Sequence, residues 1–160
     1  MRDSQDRTSE HHLYLVNRIL STDTKRDVQY LPKLRGNSMV TIFIVDDEAI
    51  LHRLYKDVFS IKGHEVIADA FDGAEAVEKY VTLDPKPDVI ILDHRMPNKD
   101  GMATMKEILG LEPKAKIVFI SADANVREQA MSNGAASFGL KPVTIRHMLD
   151  LVESAVSDQD

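Results

Sequence analysis

Short runs of apolar residues alternate along this chain with longer stretches in which apolar residues recur every three or four positions. The first pattern predicts buried strands, and the second predicts amphipathic helices. Five strands are predicted in this way, at 40–45, 66–68, 89–92, 117–120 and 135–140. Each is followed by a predicted helix, at 50–59, 72–81, 102–109, 123–132 and 144–156.

Strand and helix therefore alternate five times, at a spacing of about 25 residues. Such alternation is typical of parallel βα units. Because crossover connections between parallel strands are right-handed, the units are expected to form a doubly wound sheet with helices on both faces. The pattern thus predicts an α/β fold built on a five-stranded parallel sheet.

The first 38 residues do not share this pattern. Residues 1–10 are polar and predicted to be disordered, whereas apolar residues at helical spacing predict a short helix within 10–20. Residues 21–38 are mostly polar and typical of a linker, and Met39 is an alternative translation start. We therefore expect an N-terminal extension at 1–38, one domain at 39–157, and no C-terminal output domain.

Composition narrows the classes of function. The chain has 160 residues, no cysteine and a formal net charge of −6, so disulfides, thiolate metal sites and cysteine nucleophiles are excluded. No apolar run approaches the roughly 18 residues of a membrane span, and no signal-peptide core is present, which predicts a cytoplasmic protein without membrane contact. Residues 1–38 carry seven basic and five acidic residues, and the remainder carries 13 and 21. Direct binding to nucleic acid is therefore not expected.

Polar side chains follow four of the five predicted strands. Asp46 and Asp47 follow the first, Asp93 the third, Ser121 the fourth and Lys141 the fifth. Because the carboxyl ends of parallel strands share one edge of the sheet, these side chains are expected to meet there. Each also has a simpler explanation: a turn residue, a favourable charge at a helix N-terminus, a helix cap or a solvated lysine. Four such coincidences at one edge are less expected than one shared site.

Three carboxylates at one point repel one another, and a divalent cation such as Mg²⁺ relieves that repulsion by taking oxygen ligands. With a hydroxyl and an ammonium group, the set suits phosphoryl transfer, in which one carboxylate is the nucleophile and the cations neutralise phosphate oxygens. Asp93 is the best candidate for the nucleophile because it stands alone at the end of a central strand. Asp46 and Asp47 arrive as a pair, which suits metal binding.

Four segments also carry a family resemblance: IVDDE at 44–48, LDHRMPNKDG at 92–101, ISA at 120–122 and LKP at 140–142. In order and spacing they resemble the receiver domain of two-component response regulators, over residues 40–156. The resemblance implies a flavodoxin-like sheet with strand order 2-1-3-4-5. It also implies that Asp93 is the phosphoacceptor. Mg²⁺, or Mn²⁺ in its place, would then be held by Asp46, Asp47, Asp93 and the backbone carbonyl of Arg95.

The same resemblance implies a conformational switch. Lys141 would be the phosphate-binding ammonium, preceding a cis peptide bond to proline, and Ser121 the switching hydroxyl. A phosphoryl group brings about −2 charge and three acceptor oxygens. Ser121 would move inward to donate to it, and Phe138, which matches the family's aromatic rotamer switch, would turn into the vacated space. The fourth helix, fifth strand and fifth helix would form the protein-binding face.

Two residues beside this site are predicted to tune the lifetime of the phosphoryl group. Arg95 is long and cationic where many relatives have a shorter side chain, and the resemblance implies that Asp123, two residues after Ser121, flanks the same mouth. We expect that they can pair across the site and hinder the water that hydrolyses the acyl phosphate. An Arg95 that simply extends into solvent is an equally open alternative.

These observations predict a single-domain response regulator that is not an enzyme beyond weak self-phosphorylation and self-dephosphorylation. Its expected partners are a sensor histidine kinase and either a downstream protein target or, as a phosphorelay intermediate, a histidine phosphotransfer protein. A monomer or a phosphorylation-dependent dimer is expected. The alternatives are a Mg²⁺-dependent aspartyl phosphatase of the haloacid dehalogenase type and a degenerate receiver that only binds partners. The phosphatase usually has a D-x-D motif, whose second carboxylate Arg95 replaces here.

Overall fold

The structure is a computed structural model that describes residues 38–157. In chain order this part contains β1 (Thr41–Val45), α1 (Ala49–Ile61), β2 (Glu65–Ala70), α2 (Gly73–Thr82), β3 (Val89–Asp93), α3 (Gly101–Leu111), β4 (Ile117–Ser121), a 3₁₀ turn (Ala124–Val126), α4 (Arg127–Ser132), β5 (Ser137–Leu140) and α5 (Ile145–Ser157). The helix predicted within 10–20 lies outside the described residues. Within 38–157, no helix is long and apolar enough to cross a membrane.

The five strands form one parallel sheet in the order β2-β1-β3-β4-β5. Every residue of β3, the central strand, is buried, as its continuous apolar run predicts for a strand covered on both faces. The predicted fold class, an α/β doubly wound and flavodoxin-like sheet, is confirmed.

Alternate residues of each strand point to opposite faces of the sheet, so two hydrophobic cores form. Ile42 and Ile44 of β1 belong to the core beneath α1 and α5. Phe43 and Val45 belong to the core beneath α2, α3 and α4. Burial on both faces holds the strands in fixed register, and the carboxyl ends of β1, β3, β4 and β5 are thereby fixed relative to one another.

Several helix ends follow from their local sequence. Gly63 follows α1 with φ +81°, the left-handed conformation that glycine adopts without a Cβ clash. Asp72 accepts a hydrogen bond from the Glu75 N–H at 2.9 Å and caps α2. Asp100 caps α3 in the same way by accepting from the Ala103 N–H at 2.8 Å. The loop after β3 therefore ends in a well-defined helix start.

Most predicted boundaries differ from the structure by one or two residues, and three of the differences have a clear local cause. Helix α3 runs through Gly110 to Leu111, because a glycine in the last turn weakens a helix without ending it. The helix predicted at 123–132 begins as a 3₁₀ turn, where the Asp123 side chain accepts from the Asn125 N–H at 3.0 Å. β5 starts at Ser137 rather than at residue 135, since the Ala135 N–H still caps α4 by donating to the Ala130 carbonyl at 3.1 Å.

Gly101 lies directly against the backbone at the end of β3. A Cβ at this position would lie 2.2 Å from the carbonyl oxygen of Asp93 and 2.9 Å from Cα of His94. We expect Gly101→Ala to displace Asp93 and to lower the free energy of unfolding by about 2–3 kcal/mol, measured by urea denaturation. Gly110→Ala is the matched control, because nothing lies within 4 Å of its added Cβ. It is expected to leave stability unchanged or raise it by up to about 1 kcal/mol; equal losses in both variants would contradict the steric explanation.

Candidate phosphoryl-acceptor site

Three carboxylates meet at the carboxyl edge of the sheet, at the ends of β1 and β3. Asp46, Asp47 and Asp93 each offer one oxygen, and these oxygens lie within 4.8 Å of one another. Asp46 and Asp93 are buried, at 5% and 4% exposure, whereas Asp47 is exposed. The acidic cluster predicted from the strand ends is therefore present, with two members inside the protein and one facing solvent.

Lys141, at the end of β5, supplies the cationic partner of this cluster. Its Nζ lies 2.8 Å from Oδ1 of Asp93, 3.6 Å from Oδ2 of Asp46 and 3.9 Å from Oε1 of Glu48. Burial alone would lower the pKa of Lys141, but the hydrogen bond to Asp93 and the charges of Asp46, Asp93 and Glu48 outweigh it, so the pKa is raised. The bond from Lys141 to Pro142 is cis, as predicted. The ammonium group therefore stays charged beside Asp93.

Burial destabilises the ionised form of Asp46, one of the two buried carboxylates of the cluster. Its pKa is raised to about 6, chiefly by burial, and the nearby charges of Asp93 and Glu48 contribute to this rise. The hydrogen bond from the Glu48 N–H, 2.8 Å from Oδ1, and the charge of Lys141 act in the opposite direction without cancelling the rise. One lysine does not compensate the cluster, and a second cation would stabilise the ionised form of Asp46.

Ser121 lies at the end of β4, next to β3, and is 1% exposed. Its Oγ is 2.9 Å from Nδ1 of His94 and accepts a hydrogen bond from the Asp123 N–H at 3.0 Å. The predicted switching hydroxyl is thus held by two neighbours in this structure.

Phe138, the predicted aromatic switch, is buried in β5. Its ring lies 6.3 Å from the ring of Phe119, with an interplanar angle of 21°, and the guanidinium carbon of Arg127 is 5.8 Å from its centroid. The Phe138 side chain therefore packs between Phe119 of β4 and the exposed Arg127.

Arg95 and Asp123 form an ion pair beside the site. Nη2 of Arg95 lies 3.6 Å from Oδ2 of Asp123, and the Arg95 side chain is 74% exposed. The pairing that the sequence suggested is geometrically realised, although such an exposed pair is weak on its own. Its effect on hydrolysis stays a prediction.

Two histidines at this edge were not predicted from the sequence to have a role. His94 contacts Ser121, as described above. His52, on the buried side of α1, donates from Nε2 to the backbone carbonyl of Asp46 at 2.6 Å, and its ring stacks on Phe71 with centroids 4.4 Å apart. The helical spacing of His52 with Tyr55 and Phe59 indicates burial, but no sequence pattern indicates its hydrogen-bond partner.

The sequence of the domain that carries this site matches a known protein family. Residues 42–153 match the family described as the response regulator receiver domain. The chain therefore belongs to the response regulator receiver family, which confirms the resemblance inferred from the sequence. Phosphorylation and Mg²⁺ binding are typical of this family.

Within that family the chain is similar to chemotaxis proteins named CheY. It is 42% identical to CheY of Thermotoga maritima over 104 residues, which cover 63% of this chain and 84% of the relative. It is 35% identical to CheY of Bacillus subtilis over 118 residues, which cover 72% and 97%. These relatives are short receivers, so the likeness extends over most of their length.

Solved structures give the same result. The CheX-CheY-BeF3-Mg²⁺ complex from Borrelia burgdorferi contains a chain that matches with a TM-score of 0.71 and 30% identity, over 77% of this chain and 97% of that one. The response regulator TrrA of Thermotoga maritima, in complex with Mg²⁺-BeF, matches with a TM-score of 0.65 and 28% identity, over 73% and 99%. Both structures were obtained with magnesium and a fluoride of beryllium.

Proposed function

We propose that this protein is a single-domain response regulator that accepts a phosphoryl group on Asp93 from a sensor histidine kinase. The observation that carries the proposal is the buried Asp93 carboxylate with Lys141 Nζ at 2.8 Å and two further carboxylates beside it. A carboxylate held by an ammonium group, at the open edge of a parallel sheet, suits attack on phosphorus.

The proposed transfer is a substitution at phosphorus. A carboxylate oxygen of Asp93 forms a bond to phosphorus while the P–N bond of the kinase's phosphohistidine breaks, and the departing imidazole keeps the bonding electron pair. Lys141 neutralises a phosphoryl oxygen throughout, because its raised pKa keeps it protonated. The Ser121 hydroxyl then donates a hydrogen bond to another phosphoryl oxygen.

Mg²⁺, or Mn²⁺ in its place, is the proposed cofactor. The oxygens offered by Asp46, Asp47 and Asp93 are of the type that Mg²⁺ prefers. Burial raises the pKa of Asp46, and a bound cation would offset the cost of keeping that buried carboxylate ionised. The backbone carbonyl of Arg95 is the proposed additional ligand. When bound, the ion would neutralise charge on the phosphoryl oxygens.

The proposed output is a contact between proteins. The movement of Ser121 and Phe138 would change the surface formed by α4, β5 and α5, which a downstream target or a histidine phosphotransfer protein would recognise. In this proposal the protein is cytoplasmic, binds no nucleic acid directly, and is a monomer or dimerises on phosphorylation. It is a switch rather than an enzyme.

Acetyl phosphate tests the acceptor role without the kinase. The protein is incubated with acetyl phosphate and Mg²⁺, and its intact mass is measured; one added phosphoryl group is expected, and chelation of Mg²⁺ is expected to prevent it. Repeated turnover of a phosphate ester would instead favour the aspartyl phosphatase. Neither adduct nor turnover would favour a module that only binds partners.

Arg95 is expected to lengthen the life of the phosphoryl group. Because its pair with Asp123 lies at the mouth of the site, Arg95→Ala should open a path for water and speed loss of the adduct by about two- to fivefold, the scale of an exposed ion pair. The decay is followed by intact mass after acetyl phosphate is removed. Arg146→Ala, another exposed arginine, is the control and should decay like wild type. An unchanged lifetime in Arg95→Ala would leave the arginine without this role.

A further inference from the structure

His94, the residue after the proposed phosphoacceptor, is held in place independently of Ser121. Its backbone N–H donates to the Ile120 carbonyl at 2.8 Å, and its carbonyl accepts from the Gly101 N–H at 2.7 Å. Its ring lies against Phe119, with the two centroids 5.5 Å apart. With backbone and ring both anchored, a movement of Ser121 toward Asp93 would break the 2.9 Å contact between Ser121 Oγ and His94 Nδ1.

The burial of Ser121 decides which partner holds the hydrogen of this contact. At 1% exposure its hydroxyl hydrogen needs an acceptor within the protein, because an unpaired buried donor is costly. The other neighbour of Oγ is the Asp123 N–H, which can only donate. Among residues 38–157, His94 Nδ1 is therefore the atom that accepts the hydrogen bond from the Ser121 hydroxyl. The ring is accordingly assigned the tautomer that carries its hydrogen on Nε2.

We propose that His94 is a positioning residue that holds Ser121 in its resting place and thereby sets the threshold of the switch. The inference rests on the proposed function, since it concerns the same hydroxyl. Ser121 has one hydrogen to donate, and His94 Nδ1 competes for it with a phosphoryl oxygen. Removal of the ring acceptor destabilises the resting form alone and so favours the form in which Ser121 donates to the phosphoryl group.

Beryllofluoride with Mg²⁺ serves as the probe, since related receivers have been solved with this pair. Its binding is titrated by backbone amide NMR shifts in wild type, His94→Phe and His94→Asn. Phenylalanine keeps a ring against Phe119 but has no acceptor, and it should bind beryllofluoride about three- to tenfold more tightly, the scale of one net hydrogen bond. Asparagine offers Oδ1 near the place of Nδ1 and should bind like wild type.

Ser121→Ala separates this role from a general effect of packing. Without the hydroxyl, His94→Phe has nothing to release, so it should not change the affinity for beryllofluoride in that background. An equal tightening in both backgrounds overturns the inference, as does unchanged or weaker binding in His94→Phe. His94→Leu replaces His94→Phe in the cycle if the latter does not fold.

Two further results keep this inference distinct from the proposed function. A wild-type protein that binds no beryllofluoride overturns the proposed function and this inference with it, whereas wild-type binding that is indifferent to His94 overturns the inference alone. A long-range ¹H–¹⁵N spectrum of the neutral ring should place the hydrogen on Nε2. A hydrogen on Nδ1 contradicts the inference, because Ser121 would then be free to donate elsewhere.

Discussion

Asparagine in place of Asp93 is expected to abolish phosphoryl addition altogether. The amide oxygen is neutral and a far weaker nucleophile than the carboxylate, and the Nζ of Lys141, 2.8 Å away, would lose its charged partner. Wild type and Asp93→Asn are incubated with acetyl phosphate and Mg²⁺ under conditions that modify most of the wild type. Intact mass should then show no adduct on the variant.

Asp100→Asn is the matched control for this substitution. It makes the same chemical change in the same loop, at a residue that caps α3 by accepting from the Ala103 N–H. Asparagine caps a helix about as well as aspartate, so this variant should fold and be phosphorylated like wild type. An adduct on Asp93→Asn would show that another residue accepts the group, and peptide mapping would then identify it.

The sheet and the main members of the site were predictable because they depend on backbone geometry. A buried strand reveals itself as a continuous apolar run, and the residue that ends it is fixed by where the run stops. Asp93 and Ser121 were located in this way, and the parallel topology brought them to one edge. Period and strand direction are properties of the chain that sequence carries directly.

The contacts of individual side chains were not predictable in the same way. His94 follows Asp93 in sequence, yet its bond to Ser121 depends on the rotamer of the ring and on the packing of Phe119. His52 is likewise recognisable as a buried helix residue, but its bond to the Asp46 carbonyl depends on how α1 sits on the sheet. Rotamers and helix placement follow from three-dimensional packing and leave no periodic signal.

The predicted helix boundaries were wrong for a related reason. The third helix was predicted to end at residue 109, whereas α3 continues through Gly110 to Leu111. The segment after Asp123 forms a 3₁₀ turn before α4 begins. Local signals compete at helix ends with hydrogen bonds made by neighbouring side chains. These errors did not affect the prediction of the site, because the site residues lie at strand ends rather than helix ends.

Replacement of Asp46 by asparagine is expected to stabilise the metal-free protein at neutral pH. Burial raises the folded-state pKa of Asp46 from 3.8 to about 6, so its contribution to stability is fully present below pH 3.8 and is lost as the pH rises through about 6. Above that window the charged carboxylate costs up to about 3 kcal/mol, which a neutral amide avoids. Asparagine can also keep the hydrogen bond from the Glu48 N–H through its own Oδ1.

Urea unfolding in the presence of a chelator measures this difference across the same pH window. Asp46→Asn should resemble wild type near pH 3.8 and exceed it by an amount that grows until about pH 6. Asp69→Asn is the control of opposite sign: burial raises the Asp69 pKa, but the hydrogen bond and charge of Lys56, with the charges of His52 and Lys79, outweigh it and lower the pKa. That variant should therefore be less stable than wild type above pH 3.8.

Added Mg²⁺ should reverse the order of wild type and Asp46→Asn. The three carboxylate oxygens that lie within 4.8 Å of one another repel in the metal-free protein, and the same crowding gives a cation its ligands. Wild type should thus gain more stability from Mg²⁺ than Asp46→Asn does. A variant that is no more stable than wild type in chelator at pH 7 would mean that burial does not destabilise the ionised Asp46. A variant that gains as much stability from Mg²⁺ as wild type would mean that Asp46 is not part of the metal site. With the expected outcome, the lower stability of the metal-free wild type and its affinity for Mg²⁺ have one cause, which is the burial of a carboxylate beside two others.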